Sequence, residues 1–240
     1  MRLLLVLTLL VTLSVPAFAN KNDTILMLPE GQVMLNISAT ERREVEQDLL
    51  IANLSYVATN TDSRALQDEI NKAMASALKE AKKVDEVKVN TGAYQVYERY
   101  TKLTKQKEWH GQQSLTLKSK NAEKLLKLVG ELQDMKLNMN GLNYTLSPET
   151  AIEIQDALME DALKQLQTRA NRAAKALGKS TAELRDVNVN GGGVPHQPRH
   201  YARATIAMAE SADMGMAAPV AASGETTIAL SVNARAILKP

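Results

Sequence analysis

The sequence of 240 residues contains no cysteine, and aromatic side chains make up only 3% of it. Without cysteine, the chain cannot form a disulfide bond and cannot be a lipoprotein anchored through a cysteine. With so few aromatic rings, a hydrophobic core must be built from Leu, Val, Ala and Met. The formal net charge of +2 at pH 7 is close to zero, so bulk electrostatics indicate no partner of either sign.

The first nineteen residues are typical of a cleavable export signal. Arg2 supplies a positive charge, residues 3–15 form an apolar run, and Ala17 and Ala19 place small side chains at a cleavage site. The run is shorter than the roughly 20 apolar residues that span a bilayer. We therefore expect cleavage between Ala19 and Asn20, a periplasmic location, and no transmembrane segment in the mature chain.

Residues 20–240 are predicted to form a single domain, and the longest helical pattern in it covers 147–178. Ser147 suits a helix N-cap, Pro148 suits the first helical position, and Gly178 is a typical helix stop. At about 1.5 Å per residue the helix would be roughly 45 Å long, so we expect it to tie the fold together. Its predicted buried stripe consists of Ile152, Met159, Leu163, Leu166, Ala170, Ala173 and Leu177.

Alternating apolar residues predict strands around two shorter helical patterns. The strand patterns at 33–39 and 49–58 predict a hairpin, and the pattern at 226–238 predicts a strand paired inside a sheet. The order strand, strand, helix, strand occurs in sub-units 31–90 and 92–146, which suggests a duplicated ββαβ arrangement. The predicted fold class is α+β, with mostly antiparallel sheets packed against two shorter helices and one long helix.

The segment 191–224 shows no clear helix or strand pattern and is predicted to be a long flexible loop. Thioether and imidazole groups together are typical of copper sites, so metal binding is an alternative function for this loop. The methionines are irregularly spaced, however, and Pro198 prevents the two histidines from sharing a helical face. We therefore predict neither a metal nor a cofactor. The residues concerned are His196, His200, Met208, Met214 and Met216.

Catalytic motifs in the sequence are incomplete. Ser76 and Lys79 have the S-x-x-K spacing of penicillin-binding enzymes, but the companion S-D-N and K-T-G elements are absent. Glu108 could orient the ring of His110, yet no serine or cysteine is placed to act as its nucleophile. We predict that the protein is not an enzyme. The alternative is an enzyme or metal-binding protein whose site is built around His110 or the 191–224 loop.

Basic and aromatic residues are interleaved between 94 and 110, across two strand patterns. Such mixtures bind nucleic acids, but an exported protein would meet an anionic envelope surface, an envelope protein or a further subunit instead. We therefore predict no nucleic-acid partner, and a solvated hairpin is the simpler alternative. The candidate partner-binding surface consists of Tyr94, Tyr97, Arg99, Tyr100, Lys102, Lys105, Trp109 and His110.

Several segments carry a resemblance to a known family. They are the export signal, the strand pattern at 33–39, GAYQVY at 92–97, LTLKSKNAEKLLKLVG at 115–130, NGLNYTLS at 140–147, the helical pattern at 157–178 and PVAASGETTIALSVNA at 219–234. Together they resemble the SIMPL-domain family, which includes YggE-like envelope proteins and the periplasmic immunogenic protein. The chain departs from the family at Ala93, where a glycine-tyrosine pair is common.

This resemblance implies an α+β envelope protein without established catalytic residues. It also implies an association with oxidative-stress defence, as in some members, and assembly into oligomers, as in others. The favoured hypothesis is thus a non-enzymatic binding or assembly protein of the periplasm, and the competing hypothesis is an enzyme whose site is assembled from scattered residues.

Overall fold

The structure, a computed structural model, describes residues 28–101, 106–190 and 219–240. Its strands and helices follow one another as β1 (Val33–Glu46), β2 (Leu49–Asn60), α1 (Ser63–Ala81), β3 (Lys88–Thr101), β4 (Gln106–Ser119), α2 (Ala122–Asp134), β5 (Asn138–Thr145), α3 (Pro148–Ala176), β6 (Thr181–Asn190) and β7 (Glu225–Lys239). They form two antiparallel sheets with two shorter helices and one long helix, which confirms the predicted α+β class.

One sheet has the strand order β3-β4-β2-β5 and carries α1 and α2 on one face; together these elements form the four-stranded module. Chain order and strand order together are those of a split βαβ arrangement, β-α-β-β-α-β. Its core forms where the apolar stripes of α1 and α2 pack against the alternating inward residues of the strands, and most of its large side chains are leucines. The largest fully buried side chains of this core are Leu50, Leu54, Leu66, Ile70, Leu115, Leu117, Leu125, Leu128 and Leu132.

The other sheet has the strand order β1-β7-β6 and packs against α3; these elements form the three-stranded module. The terminal strand β7 lies in the middle and pairs with β1 along the whole range from Val33↔Leu238 to Glu46↔Glu225. The prediction that the C-terminal strand pairs inside a sheet is therefore confirmed. Alternate residues of β7 face α3 and are buried, as period-2 alternation requires.

The predicted hairpin between the first two strands is wrong. β1 continues through the polar residues 40–46 and pairs with β7, whereas β2 pairs with β4 and β5 in the other sheet. Only Gln47 and Asp48 separate the two strands, and at this point the chain passes from one sheet to the other. Polar residues at 40–46 are compatible with a strand because β1 is an edge strand with one solvated face.

The repeated unit contains one strand fewer than the predicted ββαβ. In the four-stranded module the order strand-helix-strand occurs twice, as β2-α1-β3 and β4-α2-β5, while β1 belongs to the other sheet. The sequence pattern predicts a short strand at 87–89 and a separate strand at 94–103, but Lys88–Thr101 form one strand with an irregularity between Thr91 and Tyr94. A bulge preserves pairing on both sides of an extra residue, which alternation alone does not reveal.

The ends of α3 confirm the predicted caps, but its buried stripe is partly wrong. The Ser147 hydroxyl accepts a hydrogen bond from the Thr150 N–H, and Gly178 adopts a φ of +67° after the last turn. Ile152 and Leu177 are 60% and 54% exposed. Leu166 and Ala170 are buried as predicted, and the other buried positions are Ala151, Leu158, Ala162 and Ala174.

Four of the six buried positions of α3 are alanines. Alanine side chains let a helix approach a sheet closely, so the closest line of contact follows them and leaves larger neighbours at its margins. Met159 and Leu163 lie at such margins and are partly buried. α3 packs on β1, β6 and β7, and no described residue of α3 belongs to the core of the four-stranded module. The helix is therefore the centre of one module.

In the described ranges, no helix is both long and apolar enough to cross a membrane.

Candidate functional site

The strands that carry the candidate surface form a hairpin arm that extends past the rest of its sheet. β3 and β4 pair from Lys88↔Lys118 out to Thr101↔Gln106, but β2 pairs with β4 only as far as Asn60↔Trp109. Beyond Trp109 the sheet therefore continues as two strands. Lys102 and Lys105 lie outside the described residues.

The structure divides the predicted surface between the two faces of the arm. Directly opposed residues in an antiparallel pair share a face, and faces alternate along each strand. Gly111 marks the face that carries the helices, since a Cβ there would clash with Ile70 Cδ1 of α1. The residues on the helix-bearing face are Tyr94, Tyr100 and Trp109, and those on the open face are Tyr97, Arg99 and His110.

Three tyrosines of the arm expose their rings to solvent. Tyr94, Tyr97 and Tyr100 are 41%, 52% and 57% exposed. Trp109 is different, because it packs against the core of the four-stranded module and is only partly exposed. Aromatic rings bring large contact areas to interfaces, so the tyrosines are available for a partner while the tryptophan supports the base of the arm.

His110 lies in a stacked pair with Tyr97, its direct cross-strand neighbour. The ring centroids are 5.9 Å apart with an interplanar angle of 16°. Nε2 of His110 is buried and has no hydrogen-bond partner among the described residues. The nearest oxygen of Glu108 is 3.9 Å away, which is beyond hydrogen-bonding range. The orienting role expected for Glu108 is therefore not realised by a hydrogen bond.

Among the described residues, several charges on and near the arm are balanced by an opposite charge. Lys107 forms an ion pair with Glu98 at 3.2 Å, and Arg99 lies opposite Glu108. Farther along the chain, Lys124 pairs with Glu86, so the basic residues that follow β4 in sequence do not join the arm in one cationic patch. This balance favours contacts through apolar and hydrogen-bonding groups over attraction to a strongly charged surface.

The two other chemical features considered in the sequence are the S-x-x-K motif at Ser76 and a metal site. The Ser76 hydroxyl donates a hydrogen bond to the Lys72 carbonyl at 3.0 Å on the exposed side of α1, as serines in helices commonly do. In the described ranges, no group of three or more His, Asp or Glu side chains is placed to hold a metal ion. The histidines and methionines of the 191–224 loop lie outside those ranges.

A site that sequence reasoning missed is the junction between the two modules at Asp48. This carboxylate follows β1 and accepts hydrogen bonds from the N–H and hydroxyl of Ser147, both at 2.7 Å, and from the Thr150 hydroxyl at 2.8 Å. Lys120 forms an ion pair with it at 2.8 Å. The cluster thus joins the passage from β1 to β2 to the passage from β5 to α3.

The electrostatics of the junction favour the ionised carboxylate. Partial burial by itself would raise the pKa of Asp48. The hydrogen bonds from Lys120, Ser147 and Thr150 outweigh that effect and hold the pKa well below its usual range. The polar sequence around residue 48 carries no signal for this cluster, because its partners lie about 70 to 100 positions farther along the chain.

Comparison with known families shows a match. Residues 35–236 match the family described as SIMPL, a protein of unknown function (DUF541). The chain belongs to the SIMPL family. The match covers elements of both modules, from β1 to β7, and so confirms the resemblance predicted from the sequence. No curated protein matches the chain.

Proposed function

We propose that this SIMPL protein is exported to the periplasm and acts there without catalysis, as a binding and assembly protein of the cell envelope. The observation that carries the proposal is the pair of exposed tyrosines, Tyr94 and Tyr100, on the helix-bearing face of the β3–β4 hairpin, where Tyr100 lies beyond the end of β2. Exposed aromatic rings on a projecting hairpin are suited to burial against another protein surface.

A second copy of the chain is the partner that we propose for this face of the arm. Lys107 and Glu98 lie on the same face and neutralise each other, so a polyanionic surface would gain little from it. Tyrosine at the centre of an interface commonly contributes about 2 kcal/mol or more to binding. An envelope protein or an anionic envelope surface would be alternative partners, and the experiment below separates them.

The test is native mass spectrometry of the mature protein purified from periplasm, combined with sedimentation at matched concentrations. We expect an oligomer for the wild type and monomers for the double variant Tyr94→Ala, Tyr100→Ala. Ile152→Ala is the control, because Ile152 is 60% exposed on α3, a helix that does not contact β3 or β4 within the described ranges, and its loss should leave the oligomer unchanged. A wild-type protein that is strictly monomeric and captures no envelope component would overturn the proposal.

Export and the stress association have separate tests. N-terminal sequencing of the periplasmic protein should begin at Asn20, and Ala19→Arg should block that cleavage, since signal peptidase requires a small residue there. A strain that lacks the gene should grow more slowly than its parent after a peroxide challenge, and complementation with the Tyr94→Ala, Tyr100→Ala variant should fail to restore growth if assembly is required. Normal growth of the deletion strain would separate the protein from oxidative-stress defence.

A further inference from the structure

The face of the four-stranded sheet opposite α1 and α2 is uncovered in the described part of the chain, and it is rich in amide side chains. α1 and α2 contact these strands from the other side. Asn is depleted in β-strands, so a concentration of amides on one face is not explained by strand propensity. The amides on this face are Asn53, Asn90, Gln95, Gln112, Asn138, Asn140 and Asn143.

Hydrogen bonds between strands orient several of these amides. The Thr116 hydroxyl donates to Asn53 Oδ1 at 3.0 Å, and Gln112 Nε2 donates to Gln95 Oε1 at 3.1 Å. Asn140 Nδ2 lies 2.9 Å from the hydroxyl of Ser55. An amide has two donors and an acceptor oxygen with two lone pairs, so each keeps further capacity for a ligand. The face therefore presents a fixed array of neutral donors and acceptors.

An aromatic platform lies at one end of the array. The ring of Tyr97 is 52% exposed and stacks on His110, and Val57 on β2 adds a further exposed apolar side chain beside Gln112. The face of an aromatic ring carries partial negative charge and attracts the weakly positive C–H groups of a sugar ring. Flat rings next to fixed amides therefore suit a ligand that combines C–H faces with many hydroxyl groups.

Two lysines lie at the other end of the same face. Lys88 and Lys118 are direct cross-strand neighbours, and neither forms an ion pair with another described residue. Like charges directly opposite each other destabilise a sheet, and an anionic ligand group would remove that cost. From His110 to Lys118 along β4 the distance is about 26 Å at about 3.3 Å per residue, enough for several sugar units.

Single-stranded nucleic acid fits this face less well. Four-stranded sheets of the same topology that bind RNA stack bases on aromatic residues of their central strands. Here the middle of the central strands β2 and β4 carries Asn53, Ser55, Ser114 and Thr116. Small polar side chains there favour hydrogen bonding to hydroxyl groups over base stacking.

We propose that this open face binds an oligosaccharide strand that carries carboxylate groups. Tyr97, supported by His110, stacks against one sugar ring, the amides of the central rows bind hydroxyl groups, and Lys88 and Lys118 bind a carboxylate. This ligand site is distinct from the assembly contact at Tyr94 and Tyr100, which lies on the opposite face of the arm, so the two proposals can fail independently.

The experiment is binding of the full mature protein to an array of neutral and uronate-containing oligosaccharides, with oligodeoxythymidylate as a polyanion without that hydroxyl pattern. We expect saturable binding to uronate oligosaccharides and at least a 10-fold loss of affinity in Tyr97→Ala and in Asn53→Ala, Gln112→Ala. Lys118→Gln should reduce binding to uronates more than binding to neutral glycans. Ile152→Ala is the control, since Ile152 is 60% exposed on α3 and belongs to neither proposed surface.

Three results would overturn the proposal. They are binding to none of the glycans, equal affinity for oligodeoxythymidylate, and dissociation of a homo-oligomer by Tyr97→Ala, which would assign the face to a second copy of the chain. Circular dichroism of every variant tests whether a loss of binding reflects unfolding. Because Tyr97 is exposed, we expect the spectrum of Tyr97→Ala to match that of the wild type.

Discussion

In the four-stranded module, α1 and α2 insert leucine and isoleucine side chains between helix and sheet, whereas in the three-stranded module α3 meets its sheet largely through alanines. The first arrangement depends on the volume of the buried side chains, and the second depends on their smallness. The same aliphatic composition therefore produces two cores with opposite sensitivities. Smaller buried side chains should lower the stability of the four-stranded module most, and larger ones should lower the stability of the three-stranded module most.

The largest effect should follow from removing volume in the four-stranded module. Leu54 is fully buried on β2, so Leu54→Ala should cost about 2–5 kcal/mol of unfolding free energy, measured in urea. Val57→Ala, on the open face of the same strand, is the control and should cost far less. If the chain is one domain, as predicted, hydrogen exchange should accelerate in both modules. Acceleration confined to β2–β5 would show two independent units.

Adding volume should have the next largest effect, in the three-stranded module. Ala162 is fully buried where α3 faces its sheet, and Ala162→Leu should cost about 1–3 kcal/mol because the helix must move away from the sheet. Ala176→Leu adds the same atoms at an exposed position near the end of the helix and should be close to neutral. Equal stability of the two variants would contradict the close approach of α3.

The junction should respond to pH. The pKa of Asp48 is depressed in the folded state, so its ionised form stabilises the fold above its unfolded pKa of about 3.9, and this stabilisation is lost as pH falls below that value. Asp48→Asn should therefore cost about 1–2 kcal/mol at pH 7, and the difference from wild type should shrink below about pH 4. Denaturation at several pH values measures this.

Asp68→Asn is the control for the junction. Asp68 also pairs with a lysine, Lys72, but both side chains are more than half exposed on α1. An exposed pair four residues apart contributes little, so this variant should show almost no change in its pH profile relative to wild type. A pH-independent deficit in Asp48→Asn would mean that its hydrogen bonds act without its charge.

The smallest effect tests the position of the buried stripe on α3. Ile152 is 60% exposed although the sequence pattern predicts burial, so Ile152→Ser should change the unfolding free energy by less than about 0.5 kcal/mol. Leu166→Ser, at a position where pattern and structure agree, should cost several times more. A large loss of unfolding free energy in Ile152→Ser would show that Ile152 is buried, as the sequence pattern predicts.

The sequence indicated which residue types form the candidate site, but it did not indicate which face of the sheet each of them occupies. The interleaved tyrosines and cations at 94–110 marked two strands, and the structure confirms a hairpin there. The pairing register then places Tyr97 and His110 on one face and Tyr94 and Tyr100 on the other. A shift of one residue in register would exchange these faces, and the irregularity between Thr91 and Tyr94 is not visible in the pattern of alternation.

The sequence by itself determined the α+β class, the ends of the long helix at Ser147 and Gly178, and family membership, because these depend on local periodicity, on short-range hydrogen bonds and on segment similarity. Only the tertiary structure decided that β1 pairs with β7 instead of β2, and that Asp48 joins residues about 100 positions apart. Strand partners are chosen by which apolar faces can be buried together, and that depends on the whole chain at once.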